Sequence, residues 1–467
     1  MSSNAETDAA LHAGTELSGA STRVWWRTLT PQHWFVFGVA SLSWFFDCLD
    51  SQFFNLARDA ASDQLLGDRS LSTIYAPYTT SVFLLGWAAG GLLFGALGDR
   101  HGRARILSWC VLLYSLFTGL GAFAGSFLQF CVFRFLTGCG VGGVFGLAVA
   151  LVADTLAPRA RAPALGLFQS LSTWGNVLAG LIGMGIGTLG ARQLLPFGLR
   201  PWQAIFLIGA LPALACVPLL RRVPEPEAWQ RARSASSTRS GPARSEAGSY
   251  RALLSQAPWS RHAWFGLLVC SAGIVGYWGI GNFHPRIVGS IVDQHLGQSG
   301  LSASALASEQ AFWRSTGLLL QNVGGFVGMM LCAWVAEAWG RRPALCGALL
   351  LSFVTTLLVF RGLREFSQIY WMLPLMGFGQ MGVYSVYAIY LPELFPTRWR
   401  STGTSFCYNG GRIVAATAPF TISRITASLG GNIEAFRSAG QWVSVLLLTG
   451  LVALPFLPET REQPLPE

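Results

Sequence analysis

Residues 95–105 read Gly95-Ala-Leu-Gly-Asp99-Arg100-His101-Gly102-Arg103-Ala104-Arg105. The pattern returns 238 residues later as Ala333-Trp-Val-Ala-Glu337-Ala338-Trp339-Gly340-Arg341-Arg342. Each copy is a short charged loop between two apolar runs. A second set of landmarks keeps almost the same step: Gly138-x-Gly140-x-x-Gly143, Asp154 and Arg159-x-Arg161 recur 239 residues on as Gly377-x-Gly379-x-x-Gly382, Glu393 and Arg398-x-Arg400. Separated landmarks holding one offset through different loops imply a duplicated half. In transporters, repeats of this kind build a site at the interface between the halves.

The runs beside these loops decide the solvent. The chain has 467 residues, 52% hydrophobic and 12% charged, where a soluble domain carries about 25% charged residues. Twelve runs, from 33–56 to 438–457, approach the roughly 20 residues that cross a bilayer. The expected fold is therefore an all-α membrane protein with twelve transmembrane helices in two pseudo-symmetric six-helix bundles, 33–220 and 262–457. Residues 1–32 and 458–467 read as cytoplasmic tails, and 221–261, rich in Arg, Ser, Ala and Pro, as a flexible cytoplasmic linker. No signal-peptide pattern precedes the first run. With both termini cytoplasmic, 20 of the 32 basic residues fall on the inner side and 10 on the outer. That is the arrangement expected of a multi-pass inner (plasma) membrane protein.

Several function classes drop out. The net charge of +10 is explained by topology, and a nucleic-acid partner is not expected. Every basic residue apart from histidine is arginine, so the chain has neither a P-loop lysine nor a Schiff-base amine. The nine cysteines are scattered through the spans without a CxxC pair, and the six histidines lack ligand spacing. The sequence calls for no metal, no cofactor and no enzymatic activity.

At Gly95, Asp99, Arg100, Gly102, Arg103 and Arg105 the chain resembles the major facilitator superfamily, whose loop signature these residues match fully. The second copy departs at Ala333 and Glu337. The resemblance narrows toward metabolite:proton symporters of the sugar, sialate, lactate and aromatic-acid group. It does so through Arg134-Phe-Leu-Thr-Gly138, Val223-Pro-Glu225-Pro-Glu227, Leu391-Pro-Glu393-Leu-Phe-Pro-Thr-Arg398, Tyr408-Asn409-Gly-Gly-Arg412 and Pro458-Glu459-Thr-Arg461. It implies alternating access by a chain acting as a monomer. The loop residues named above, with Asp154, Glu337, Gly340, Arg341, Arg342, Glu393 and Arg398, are the expected gate. An acid there can meet a neighbouring helix N-terminus, and the arginines can pair with carboxylates. The bland alternative is that Arg100, Arg103 and Arg105 serve only topology. Gly138, Gly140, Gly142 and Gly143 read as packing positions.

Function is expected among the polar residues at membrane depth. In Trp44-Phe-Phe-Asp47-Cys-Leu-Asp50-Ser-Gln52-Phe-Phe-Asn55, the two acids stand one helical turn apart on one face. From the rise they lie roughly 20 and 25 Å along the first span. A lone ionised carboxylate at that depth tends to protonate, so Asp47 and Asp50 are the proton-coupling candidates. The resemblance agrees, since organic-acid symporters often carry Asp-x-x-Asp in this span. Val144 stands where many of them carry Glu. Arg134 and Arg412 can meet a substrate carboxylate bidentately, or serve as ion-pair partners of the two acids. Gln169, Asn176, Tyr277, Trp278, Asn282, Gln321, Asn322, Gln380, Tyr408 and Asn409 complete the substrate-binding candidates. His284 reads as a solvated histidine near the outer end. The expected function is proton-coupled uptake of a small metabolite such as an organic anion, with sugar uptake, drug-type efflux and a non-transporting nutrient sensor as alternatives.

Overall fold

The computed structural model describes residues 25–238, 246–296 and 303–466, and every regular element among them is helical. The first half runs through α1 (Pro31–Leu66), α2 (Arg69–His101), α3 (Arg103–Gly121), α4 (Phe127–Thr155), α5 (Pro158–Ala191), α6 (Pro201–Gly209) and α7 (Leu211–Leu220). Two short helices follow, α8 (Glu227–Thr238) and α9 (Tyr250–Ser255). The second half comprises α10 (Trp259–Ile274), α11 (His284–Leu296), α12 (Ala303–Ala338), α13 (Arg341–Gly362), α14 (Ile369–Glu393), α15 (Arg400–Ala415), α16 (Ala418–Ser428), α17 (Ile433–Ser444) and α18 (Thr449–Ala453). Among the described residues, seven helical stretches are long and apolar enough to cross a bilayer by themselves. The other crossings of the twelve-helix fold carry too many polar groups or breaks for that: α1, α5, the α6–α7 pair, α14, and the α15–α16 pair.

The breaks have local causes. Between α10 and α11, the sequence Val275-Gly-Tyr-Trp-Gly-Ile-Gly281 forms one π-helical stretch over Val275–Ile280 and a 3-10 turn over Gly281–Phe283. Three glycines in seven residues weaken the α geometry, and Pro285 sits in the first turn of α11, where its missing N–H is harmless. Span six divides at Ala210, ahead of Pro212.

The bundles close on small residues. A Cβ on Gly142 would stand 2.0 Å from the Trp87 carbonyl oxygen, and one on Gly138 2.3 Å from that of Phe83. These glycines let α2 and α4 touch backbone to backbone. The duplicate does likewise: a Cβ on Gly377 would lie 1.9 Å from the Gln321 carbonyl, where α12 meets α14. Between the halves, Gly91 and Gly95 of α2 face Asn409 and Ser405 of α15, and Gly166 of α5 faces Ala333 of α12.

The stretch expected to be a flexible linker is structured where it is described. The Trp229 indole donates to the Asp99 carbonyl at 2.9 Å, the Tyr250 hydroxyl to the Leu92 carbonyl at 2.6 Å, and Arg100 Nε to the Ala247 carbonyl at 2.9 Å. Residues 1–24 of the N-terminal tail, linker residues 239–245 and Glu467 lie outside the described residues. The end of the bundle that carries the linker is called the linker end below.

Candidate transport site and gate

At the linker end the two halves are tied together. Gly102 adopts φ +111° and turns the chain from α2 into α3. Asp99, in the last turn of α2, meets the start of α15, where its carboxylate accepts from the N–H of Ser401 (3.2 Å), the N–H of Thr402 (2.8 Å) and the Thr402 hydroxyl (2.7 Å). An acid from one half thus caps a helix of the other, where the helix dipole favours negative charge. Arg103 pairs with Asp154 and donates to the Thr397 carbonyl at 2.9 Å. Asp154 also receives Arg400. Arg398 stands 3.7 Å from Glu246, and the Trp399 indole donates to the Glu246 carbonyl at 2.6 Å. All the groups of the Asp99–Arg103–Asp154–Arg400 network are buried, so each charge needs these partners.

The second loop repeats the brace without the crossing. Gly340 has φ +112°, and Arg341 grips Glu393 with two hydrogen bonds of 3.0 and 2.8 Å. Glu337, the counterpart of Asp99, is exposed and caps nothing among the described residues. Two residues that sequence reasoning left without a role complete both braces. Glu225 accepts from the N–H groups of Arg103 (2.7 Å) and Arg105 (3.1 Å), and Glu459 from those of Arg341 (2.9 Å) and Arg342 (3.0 Å). Their signal was available: Pro224-Glu225 and Pro458-Glu459 each follow the last span of a half. Burial raises the Glu459 pKa, but the N–H groups of Arg341, Arg342, Arg461 and Thr460 outweigh it and hold the carboxyl below its ordinary value.

Midway through the bundle lies a cavity of about 50 Å³ between the halves. Of the sequence-derived candidates, Gln169, Asn176, Tyr277, Trp278, Tyr408 and Arg412 line it, as does Gln52. Trp44, Cys48, Trp87, Ser172, Met329, Met381 and Tyr384 line it as well and were not anticipated. Among the described residues of this wall, Arg412 is the only arginine and there is no Asp or Glu. Its guanidinium stands 3.7 Å from the Trp87 ring centroid and 4.4 Å from that of Tyr408, and donates to the Asn409 side chain at 3.1 Å. Toward the linker end, Phe145 of one half stacks on Tyr408 of the other at 3.8 Å. On the opposite side Trp87 meets Trp278 edge to face at 5.6 Å.

The remaining candidates lie off the cavity wall. Arg134 is enclosed by Phe54, Phe130 and Phe206, with ring centroids 5.6, 5.6 and 4.5 Å from its guanidinium carbon. Gln321 donates to Gln380 at 3.3 Å, and Gln380 to Thr356 at 2.7 Å, a chain within the second half. Asn322 accepts from Asn176 at 2.8 Å across the interface. Asn409 supports Arg412 from behind. The Asn282 side chain lies outside the described ones. His284, expected to be solvated, is fully buried, with Nδ1 2.8 Å from the Gly281 carbonyl.

Asp47 and Asp50 are both 0% exposed, and none of their four carboxylate oxygens has a hydrogen-bond partner among the described residues. They do not share an arginine. The cation acting on Asp47 is Arg412, and that acting on Asp50 is Arg134. Neither pair closes into direct contact, since the acids' oxygens and the Nε atoms of Arg134 and Arg412 all stay without partners. A carboxylate left ionised in such surroundings is costly.

Two helical halves around a central cavity, tied at one end by interbundle capping and ion pairs, define a secondary transporter of the alternating-access type. The comparisons agree and give its family. Residues 40–312 match the Major Facilitator Superfamily and residues 326–467 the family described as "Sugar (and other) transporter"; the chain belongs to the major facilitator superfamily. It is 31% identical to the cis,cis-muconate transport protein of Acinetobacter baylyi over 85% of this chain and 88% of that one. It is 25% identical to the niacin transporter of the same organism over 92% and 94%. Among solved structures, the proton:xylose symporter XylE superposes with a TM-score of 0.70 at 17% identity, covering 93% of this chain and 97% of that one. The chain is a multi-pass membrane transporter and not an enzyme.

Proposed function

We propose that the chain imports a small organic acid together with protons, and that Arg412 receives the substrate carboxylate. The observation that carries this reading is the cavity wall: one guanidinium set among Trp44, Trp87, Tyr277, Trp278, Tyr384 and Tyr408. A planar anion finds there a bidentate donor for its carboxylate and aromatic faces for its ring or conjugated chain. The relatives support the same class, being named as carriers of cis,cis-muconate, niacin, benzoate and gentisate.

Arg412 is the cation acting on Asp47, so an arriving carboxylate competes with it for the same cation. Binding of the anion would raise the proton affinity of Asp47, which couples the two loads. Asp50 and Arg134 form the second open pair, inside the first half. The network from Asp99 to Arg400 acts as the gate at the linker end, with Arg341, Glu393 and Glu459 bracing the second half. The linker end faces the cytoplasm in an inner membrane, consistent with its excess of arginine, and one chain suffices because it holds both walls of the cavity.

Proteoliposomes loaded at neutral pH and placed in acidic buffer test the reading directly. Uptake of benzoate, nicotinate or cis,cis-muconate above equilibrium is expected for at least one, with loss on collapse of the pH gradient. Arg412→Gln is expected to abolish that uptake while leaving binding of the matching neutral amide within a few-fold. Equal loss of anion and amide would make Arg412 structural, and uptake of xylose alone would move the chain to the sugar carriers.

A further inference from the structure

The gate uses the backbone of Arg105 but not its side chain. Its N–H is held by Glu225, while the guanidinium is exposed and makes no ion pair among the described residues. It overhangs a second cavity, of about 290 Å³, between the start of α3 and the end of α7. That volume approaches the roughly 300 Å³ at which ligand pockets begin. The far lip carries Arg221, likewise exposed and without an ion pair among the described residues. Below the two arginines the wall turns apolar, through Trp109, Leu112 and Leu220.

We propose that this groove binds an anionic phospholipid, with the phosphate between Arg105 and Arg221 and an acyl chain along Trp109, Leu112 and Leu220. The one acid in the groove, Glu225, has its charge answered by two backbone N–H groups at 2.7 and 3.1 Å, which leaves the arginines in excess. The apolar surface continues along the outer face of α3 and into the turn beyond it, where Leu116 is 50% and Phe123 66% exposed. In a protein of this family that face meets lipid tails, so the groove joins a headgroup-level cation pair to a hydrocarbon surface. A free phosphate would use only the upper half. The duplicated half has no such site: at the 238-residue offset Pro343 replaces Arg105 and Gly347 replaces Trp109.

Native mass spectrometry of the purified full chain in detergent tests the assignment, with phosphatidylglycerol and phosphatidylcholine of identical acyl chains as probes. Phosphatidylglycerol is expected to bind at least tenfold tighter. Each of R105Q and R221Q should weaken it roughly fivefold, and the pair about thirtyfold, from the contribution of one arginine near an anionic surface. The R192Q/R200Q pair, exposed at the other end of the bundle, should bind as the unaltered chain does. Trp109→Ala should weaken both lipids and keep the preference. Equal binding of the two lipids, R105Q/R221Q within twofold of the parent, or displacement by inorganic phosphate at matching affinity would each overturn the proposal.

Discussion

Replacing Asp99 with alanine takes from one half the acceptor that holds three donors of the other, at 3.2, 2.8 and 2.7 Å. Hydrogen bonds to a charged group contribute about 1.5–3 kcal/mol each. Counting only the two backbone donors at the low end gives about 3 kcal/mol for the balance between the closed and open linker end, or roughly 150-fold. The hydroxyl of Thr402 and the α15 dipole add to this, while water entering the opened end offsets part of it. Hydrogen–deuterium exchange read by mass spectrometry reports the balance, because the amides concerned lie in the peptide 397–405. Asp99→Ala is expected to raise exchange there by one to two orders of magnitude, and to leave the buried middle of α14 unchanged. Glu337→Ala, which removes the exposed counterpart, should change nothing at either place. Unaltered exchange at 397–405 in Asp99→Ala would show that the cap does not hold the halves together.

Asp47→Asn or Asp50→Asn should abolish pH-driven accumulation while leaving exchange of substrate across proteoliposomes; accumulation preserved in both variants would remove the first span from coupling. Glu459 has a depressed folded-state pKa, so its contribution is present above the ordinary glutamate range and lost as pH falls through the lower folded value. The melting-temperature gap between the parent and Glu459→Gln should therefore be full at pH 7 and shrink in acid, and a gap independent of pH would contradict this. Gly142→Val places a side chain where a Cβ already meets the Trp87 carbonyl at 2.0 Å. It should cost at least the 1–3 kcal/mol of an overpacked core, read as a lower melting temperature in detergent.

Much of the fold was legible because duplication writes itself into a sequence at a fixed offset, and a bilayer imposes a length that can be counted. The charged loop was legible for a related reason: Asp99, Gly102 and Arg103 stand close together in sequence, although the groups they meet, Ser401, Thr402, Asp154 and Thr397, do not. What escaped depends on partners far apart in the chain. Glu225 meets Arg103 122 residues away; the matching positions of Pro224-Glu225 and Pro458-Glu459 mark a repeated role without naming the partner. Asp47 and Asp50 share a helical face and read as one pair, yet their cations come from different halves, Arg412 and Arg134. Arg134 and Arg412 look alike in sequence, each an arginine inside a span, but three phenylalanines enclose the first and the cavity receives the second. Trp87 was passed over because an aromatic in a span is ordinarily packing; only the approach of Arg412 from the other half distinguishes it.

The cavity of about 50 Å³ has a consequence for how ligands will be seen to arrive. It falls well short of the roughly 300 Å³ of an ordinary ligand pocket, so a solute enters only after the halves part. Observed association rates should then level off with rising concentration at the rate of parting, instead of climbing toward the diffusion limit. The measured dissociation constant will be the intrinsic one divided by the fraction of molecules already parted. A variant that loosens the closed form can therefore appear to bind better without gaining a single contact to its solute.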